Sequence, residues 1–410
     1  MRLLSSMLSR FVKTGRLEII DAGGKTHVFA GDDGPRATIR FKDPKLYRAL
    51  FFNPELRTGE AYMDGRFVFE EGTIRDLLMI FALNSTNLRA QPFQKTLRWA
   101  YKRLRGLHQR NPIGRAQDNV AHHYDLSNEF YRLFLDDDLN YSCAYYLTPK
   151  DSLERAQRNK LRHIAAKLAL EPGHKVLDIG CGWGSMALYL AEAADVEVLG
   201  VTLSREQCAL ARERAKERGL DNRVRFELID YRDVTGPFDR IVSIGMFEHV
   251  GVAHYPEFFA KLGDLLNQDG TALLHSIGRK GGPGTTAAWI RKYIFPGSYV
   301  PALSETLSAV EPTELSVSDI EIWRLHYADT LAEWEKRFQR NRAKVVRQFD
   351  ERFCRMWEFY LISCELGFRF DKQMVFQMQL IKSVDGLPLT RDYMAKAEGT
   401  LNDSTLFLPP

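Results

Sequence analysis

Beyond residue 175 the chain alternates short, dense apolar runs with longer stretches whose apolar positions recur at helical spacing. Runs at 175–179, 196–202, 224–229, 240–244 and 272–277, each bounded by polar or glycine turns, predict strands. Amphipathic stretches at 185–194 and 205–218 predict helices between them. Such alternation predicts an α/β fold with a doubly wound, mostly parallel sheet whose ligand lies at the carboxyl ends of the strands. Later, 331–346 and 352–368 read as helices and 374–381 as a final strand of the sheet.

Ahead of this region the pattern is mixed. Strand-like runs at 17–20 and 37–41 accompany a helix over 44–52, a helix-to-turn element at Gly59-Glu60-Ala61-Tyr62-Met63-Asp64-Gly65, and a helix over 73–83. The expected organisation is a smaller mixed α+β domain over residues 1–110 followed by a catalytic domain over 111–410. Near the boundary, Phe93, Leu97, Ala100, Tyr101, Leu104 and Leu107 form a helical stripe among Lys95, Arg98, Lys102, Arg103 and Arg105, with no acid in the stretch. A basic amphipathic helix either lies on an anionic bilayer or packs its stripe on the protein as a linker, and the pattern leaves both open. Between 278 and 301, Gly281, Gly282 and Gly284 precede Trp289, Ile290, Ile294, Phe295 and Tyr299. That segment suits either a hinged apolar wall for an acyl chain or a fixed packing loop.

Chemistry enters at the end of the 175–179 strand. In Asp178-Ile179-Gly180-Cys181-Gly182-Trp183-Gly184 an acid is followed by alternating glycines, which let the backbone turn sharply and approach a ligand closely. The spacing is D-x-G-x-G-x-G, with Ser185 where a third dinucleotide-type glycine would fall, so S-adenosylmethionine outranks NAD. The second strand ends in Thr202 instead of the acid that usually holds ribose hydroxyls. Thr202 and Gln207 then supply neutral hydrogen bonds there, or serve as a helix cap and a solvated residue. Asp230, Tyr231 and Arg232 follow the third strand, where an adenine would lie.

Composition narrows the field. With 410 residues, 45% of them hydrophobic, the chain can bury one large and one smaller core, and a net charge of +4 does not indicate nucleic acid. The five cysteines are scattered without a C-x-x-C pair, which argues against a disulfide framework or a metal site. No apolar run approaches a membrane span, and residues 1–15 lack a signal-peptide core, so a cytosolic protein touching membrane only from outside is expected.

Further candidates cluster around the glycine loop. His122 and His123, in the motif from Asn119 to Tyr131, fit an amphipathic covering helix, whereas Tyr141-Ser142-Cys143 is a polar, aromatic turn with no obvious packing duty. Glu248, in Met246-Phe247-Glu248-His249-Val250-Gly251, follows the 240–244 strand, and His275 lies in the next one. Both would face the crevice. A histidine in an apolar strand is ordinarily a satisfied core residue; its pairing with Glu248 and Cys143 at one crevice weakens that reading.

These residues resemble the cyclopropane-fatty-acyl-phospholipid synthases, together with the mycolic acid cyclopropane synthases and methyltransferases. The likeness runs through Tyr141-Ser142-Cys143, the glycine loop, Thr202-Leu203-Ser204, Asp230-Tyr231-Arg232-Asp233, Met246 to Gly251, Lys292-Tyr293-Ile294-Phe295-Pro296-Gly297 and His326-Tyr327-Ala328-Asp329-Thr330-Leu331. The motif Gly59 to Gly65 is similar to the N-terminal domain of the phospholipid enzymes. The resemblance implies methyl transfer from S-adenosylmethionine to a cis double bond in a membrane phospholipid and closure of a cyclopropane ring. It further implies a bicarbonate base held by residues matching Cys143, Glu248, His275, Ile277 and Tyr327. For the methyl donor it implies Tyr141, Ser142, Gly180 and the neighbouring loop including Gly182 at the methionine end, Thr202 and Gln207 at ribose, and Tyr231 and Arg232 at adenine, while Asp178 orients the loop or reaches the methionine ammonium through water. A peripheral enzyme on the inner, anionic face of the membrane is implied, and similarity to dimeric members suggests a homodimer. The alternative is a lipid C-methyltransferase whose product is methyl-branched, methylene-bearing or hydroxylated.

Overall fold

The computed structural model describes residues 1–90 and 126–404. The basic stretch 93–109, with Arg98, Lys102 and Arg105, and the histidines His122 and His123 lie outside the described residues. A single cut near residue 110 does not separate the two compact units. The first takes the N-terminal segment together with Thr285–Pro296 and Leu331–Gln373, and the second takes the remainder. Those two later segments read from sequence as parts of the catalytic domain; their side chains instead complete the first unit.

In that first unit, strands β1 (Thr14–Ile20), β2 (Thr26–Ala30), β3 (Asp32–Phe41) and β4 (Phe67–Glu71) form a four-stranded sheet in the order β2-β1-β3-β4. Alternation along the strands sends Leu17, Ile19, Ala37, Ile39 and Phe41 into the core. The helix Ile74–Leu83 buries Leu77 and Ile80, and starts at a capping box made by Thr73 and Asp76. The motif Gly59 to Gly65 ends the helix Pro54–Met63 and receives the later segments. Trp289, in the helix Ala288–Tyr293, lies so close to Gly59 that a Cβ there would sit 2.3 Å from the indole nitrogen. Lys292 donates to Glu60 at 2.6 Å, Tyr62 to Glu358 at 2.7 Å, and Arg75 to Glu365 at 2.7 Å. Trp289 is thus closely packed on the Gly59 helix. An apolar cavity of about 290 Å³ remains within this unit, lined by Leu8, Phe11, Phe41, Trp289, Phe359 and Phe370 among others.

The second unit holds strands β5 (Lys175–Ile179), β6 (Glu197–Val201), β7 (Val224–Glu227), β8 (Phe238–Ile244), β9 (Leu266–Arg279), β10 (Ser316–Trp323) and β11 (Gln373–Ile381). They form one sheet in the order β10-β11-β9-β8-β5-β6-β7. Strands β5 to β9 pair in parallel, and β10 runs antiparallel to β11. The central strands β5, β6, β8 and β9 feed two cores. Leu177, Ile179, Ile241 and Leu274 face one side, with Phe258 and Leu262 of the helix Tyr255–Leu265. Val176, Val198, Val242 and Leu273 face the other, with Ile164, Leu188 and Ala211 from the helices Leu153–Lys167, Ser185–Ala193 and Arg205–Glu217. This is the doubly wound arrangement, and it brings the ends of β5, β6 and β8 to one crevice.

Candidate active site

The loop after β5 bends because Gly180, Gly182 and Gly184 take φ of +78°, +55° and +84°. At Gly180 a Cβ would also meet the Met246 side chain at 2.8 Å. The Gly180 and Cys181 amides both donate to the Val201 carbonyl, at 2.9 and 3.1 Å. The bare Cα of Gly180 thus admits the Met246 side chain, and its amide is spent within the fold.

A cavity of about 170 Å³ opens beside this loop, and Tyr141, Ser142, Asp178, Gly180, Gly182, Thr202, Gln207, Tyr231 and Arg232 all line it. Asp178 is 1% exposed, its Oδ2 has no hydrogen-bond partner, and burial pushes its carboxyl up to about 7. Thr202 donates to Gln207 Oε1 at 3.1 Å, and the helix Arg205–Glu217 is capped by Ser204. Thr202 and Gln207 are therefore a buried pair facing the cavity; the cap and solvated-residue reading does not hold. Arg232 grips Asp230 through Nε at 2.8 Å and Nη2 at 2.6 Å, and its guanidinium lies 5.5 Å from the centre of the Tyr231 ring.

The second set of candidates lies around β9. Glu248 is 6% exposed; its Oε1 accepts the Ile277 amide at 2.6 Å and its Oε2 has no partner. Burial pushes Glu248 up to about 7. Since the Ile277 amide is given to Glu248, this peptide orients the carboxylate. His275 is held by Gln377, whose Nε2 lies 3.1 Å from Nδ1. Lys167 donates to Gln377 Oε1 at 2.7 Å, which fixes the amide so that its NH₂ faces His275. His275 Nδ1 is then an acceptor and the ring proton sits on Nε2; burial lowers this histidine to about 3, keeping it neutral. Cys143 is fully buried, donates to the Ala144 carbonyl at 3.3 Å, and is held well above the usual thiol range by burial. Burial therefore disfavours the thiolate that a nucleophile would need. The Ala144 amide donates to Thr330 at 3.0 Å, which ties the Cys143 turn to the first turn of the helix His326–Gln348, where Tyr327 is buried.

Lys160, Asn140, Met246 and His249 also line the donor cavity and escaped sequence reasoning. Lys160 sits among Arg155, Arg158 and Arg162 on one helix, and spacing alone does not mark which cation turns inward. Among the described residues there is no cluster of metal-ligating side chains and no helix long and apolar enough to cross a membrane.

Residues 112–378 match the family model described as mycolic acid cyclopropane synthetase. The cyclopropane-fatty-acyl-phospholipid synthase of Escherichia coli K12 is 39% identical over 358 residues, 87% of this chain and 91% of that one. A tuberculostearic acid methyltransferase of Mycobacterium tuberculosis is 35% identical over 367 residues, 86% of this chain and 85% of that one. Among solved structures, a mycolic acid cyclopropane synthase complexed with SAH and CTAB superposes with a TM-score of 0.62 at 33% identity, covering 66% of this chain and 99% of the other.

Proposed function

Since the chain belongs to the mycolic acid cyclopropane synthetase family of S-adenosylmethionine-dependent methyltransferases, we propose that it methylates a cis double bond in an acyl chain of membrane phospholipid and closes a cyclopropane ring. The methyl donor supplies an electrophilic methyl on a sulfonium. An alkene is a weak nucleophile, so the protein's contribution is to hold the two in line and keep water from the cation that follows. The cavity fits the donor: no side chain stands at Gly182, where the loop lines the cavity, and the unpartnered Asp178 oxygen receives an ammonium.

Ring closure needs a proton acceptor, and bound bicarbonate is the proposed one. The carrying observation is Glu248, a buried carboxyl with one oxygen tied to Ile277 and the other free, between the cavity-lining residues Met246 and His249. Its free oxygen accepts the bicarbonate hydroxyl, the His275 Nε2 proton and the Tyr327 hydroxyl donate to the anion, and Cys143 forms the wall. Substrate and membrane face follow from the same reading: a peripheral enzyme on the cytoplasmic side, meeting anionic lipid through the basic stretch around Arg98, Lys102 and Arg105, with two copies acting as a homodimer. The N-terminal domain takes the lipid-facing role, in keeping with its apolar cavity.

Mass spectrometry of phospholipids from an alkene-rich host expressing the chain tests this. The expected product gains CH₂ and fragments as a ring. A methyl-branched, methylene or hydroxylated product would instead assign the chain to the C-methyltransferase reading, which the similarity to a tuberculostearic acid methyltransferase keeps in view.

A further inference from the structure

Lys160 is a buried cation whose direct partners are both neutral. It projects from the helix Leu153–Lys167, lines the donor cavity and is 1% exposed. Its ammonium donates to Asn140 Oδ1 at 2.8 Å and Ser142 Oγ at 3.0 Å, both neutral oxygens, and among the described residues it makes no ion pair. An ammonium has three donors, so one is left over. The turn that presents these oxygens is held in place: Asn140 is pinned by Ser185 Oγ at 2.9 Å and by Asp136 at 2.7 Å, and the Ser142 carbonyl is held by Gln157 at 2.9 Å.

A buried cation that no carboxylate contacts directly is costly, and burial pushes Lys160 down to about 8 although Asp136 and Asp178 act on it from a distance. The same cavity presents Asp178 with an unpartnered oxygen. One wall thus offers a cation and an acid, each short of a partner, which is the complement of an amino-acid zwitterion. We propose that Lys160 binds the α-carboxylate of the methyl donor's methionine moiety, leaving Asp178 to the ammonium of that moiety. This rests on the assignment of the cavity to the methyl donor.

A cycle that deletes the charge on either side tests it. S-adenosylhomocysteine and its decarboxylated analogue, which lacks only the α-carboxylate, are titrated calorimetrically into wild type, Lys160→Met and Lys160→Gln in bicarbonate-free buffer. Wild type is expected to prefer S-adenosylhomocysteine by about 10- to 100-fold, as one charge-assisted bond allows, and both variants to lose that preference to within about threefold. A preference that survives in the variants overturns the proposal and makes Lys160 a brace for the Asn140–Ser142 turn. Failure of wild type to bind either ligand would overturn the donor site itself. In unmutated enzyme, the ¹⁵Nζ resonance of the buried lysine should shift with S-adenosylhomocysteine and stay in place with the analogue. A shift produced by bicarbonate alone, and by neither adenosyl ligand, overturns the proposal in favour of the small anion.

Discussion

Asp178 and Glu248 are carboxylic acids that burial holds protonated to about pH 7, and both leave one oxygen unpartnered. A folded-state value above the unfolded one means that the neutral form suits the fold. Their contribution to stability is full below about pH 4 and is lost as pH rises toward 7. Ligand binding should reverse the burden at Asp178. A donor ammonium beside it lowers its pKa, so S-adenosylhomocysteine should release a substantial part of one proton on binding near pH 6.5. Calorimetry in two buffers of different ionisation enthalpy reads this directly, and an enthalpy independent of buffer would sink the ammonium assignment. Glu248→Gln should keep S-adenosylhomocysteine affinity within about twofold while turnover falls by about 10²-fold or more, the range of a lost acid–base group. Wild-type rates for that variant in bicarbonate-depleted buffer would remove Glu248 from the base site. At this scale the sequence pattern marked the residues that meet at the ends of β5 and β6, because glycines and strand ends leave a signature. It could not mark Lys160, whose burial is decided by the packing of a whole helix, nor the use of the Ile277 amide, which depends on where a distant carboxylate folds.

Strands buried on both faces were the most legible elements, since β5, β8 and β9 read as continuous apolar runs. Strand β10 was not legible. Its SVSDIEIW pattern is interrupted by a register shift between Val317 and Asp319 and it sits at the sheet edge, so no clean alternation forms. The helix Leu153–Lys167 hides for a related reason: it buries Gln157, Asn159, Lys160 and Lys167 in polar networks that look solvated from sequence. Gly59 gives the sharpest test of an element contact. Its Cβ position is filled by Trp289, so Gly59→Val should lower stability by about 2–3 kcal/mol through overpacking, measured by urea denaturation. Adding Trp289→Ala should cost less than the sum of the two single changes, because one substitution vacates the space the other needs. Strict additivity would mean that the two side chains do not meet.

On the proposed function the enzyme must reach an alkene deep in a bilayer, and among the described residues no helix is long and apolar enough to cross one. Changing Arg98, Lys102 and Arg105 together to Glu should weaken co-sedimentation with anionic vesicles and reduce activity on bilayer substrate, with S-adenosylhomocysteine affinity unchanged. Raising salt should act the same way, since exposed charges are screened within roughly 8–10 Å at physiological ionic strength. Sedimentation equal to wild type would return the basic stretch to a linker role. The interleaving of the first unit also sets a timetable for synthesis. Its sheet emerges early, but Trp289, Glu358 and Glu365, which answer Gly59, Tyr62 and Arg75, belong to segments ending only at Gln373. At about 5–20 residues per second the nascent sheet waits roughly 15–60 s for them. Until then its apolar surface stands open while the intervening catalytic strands are still being made, so the nascent chain depends on chaperones for longer than a chain whose domains follow one another.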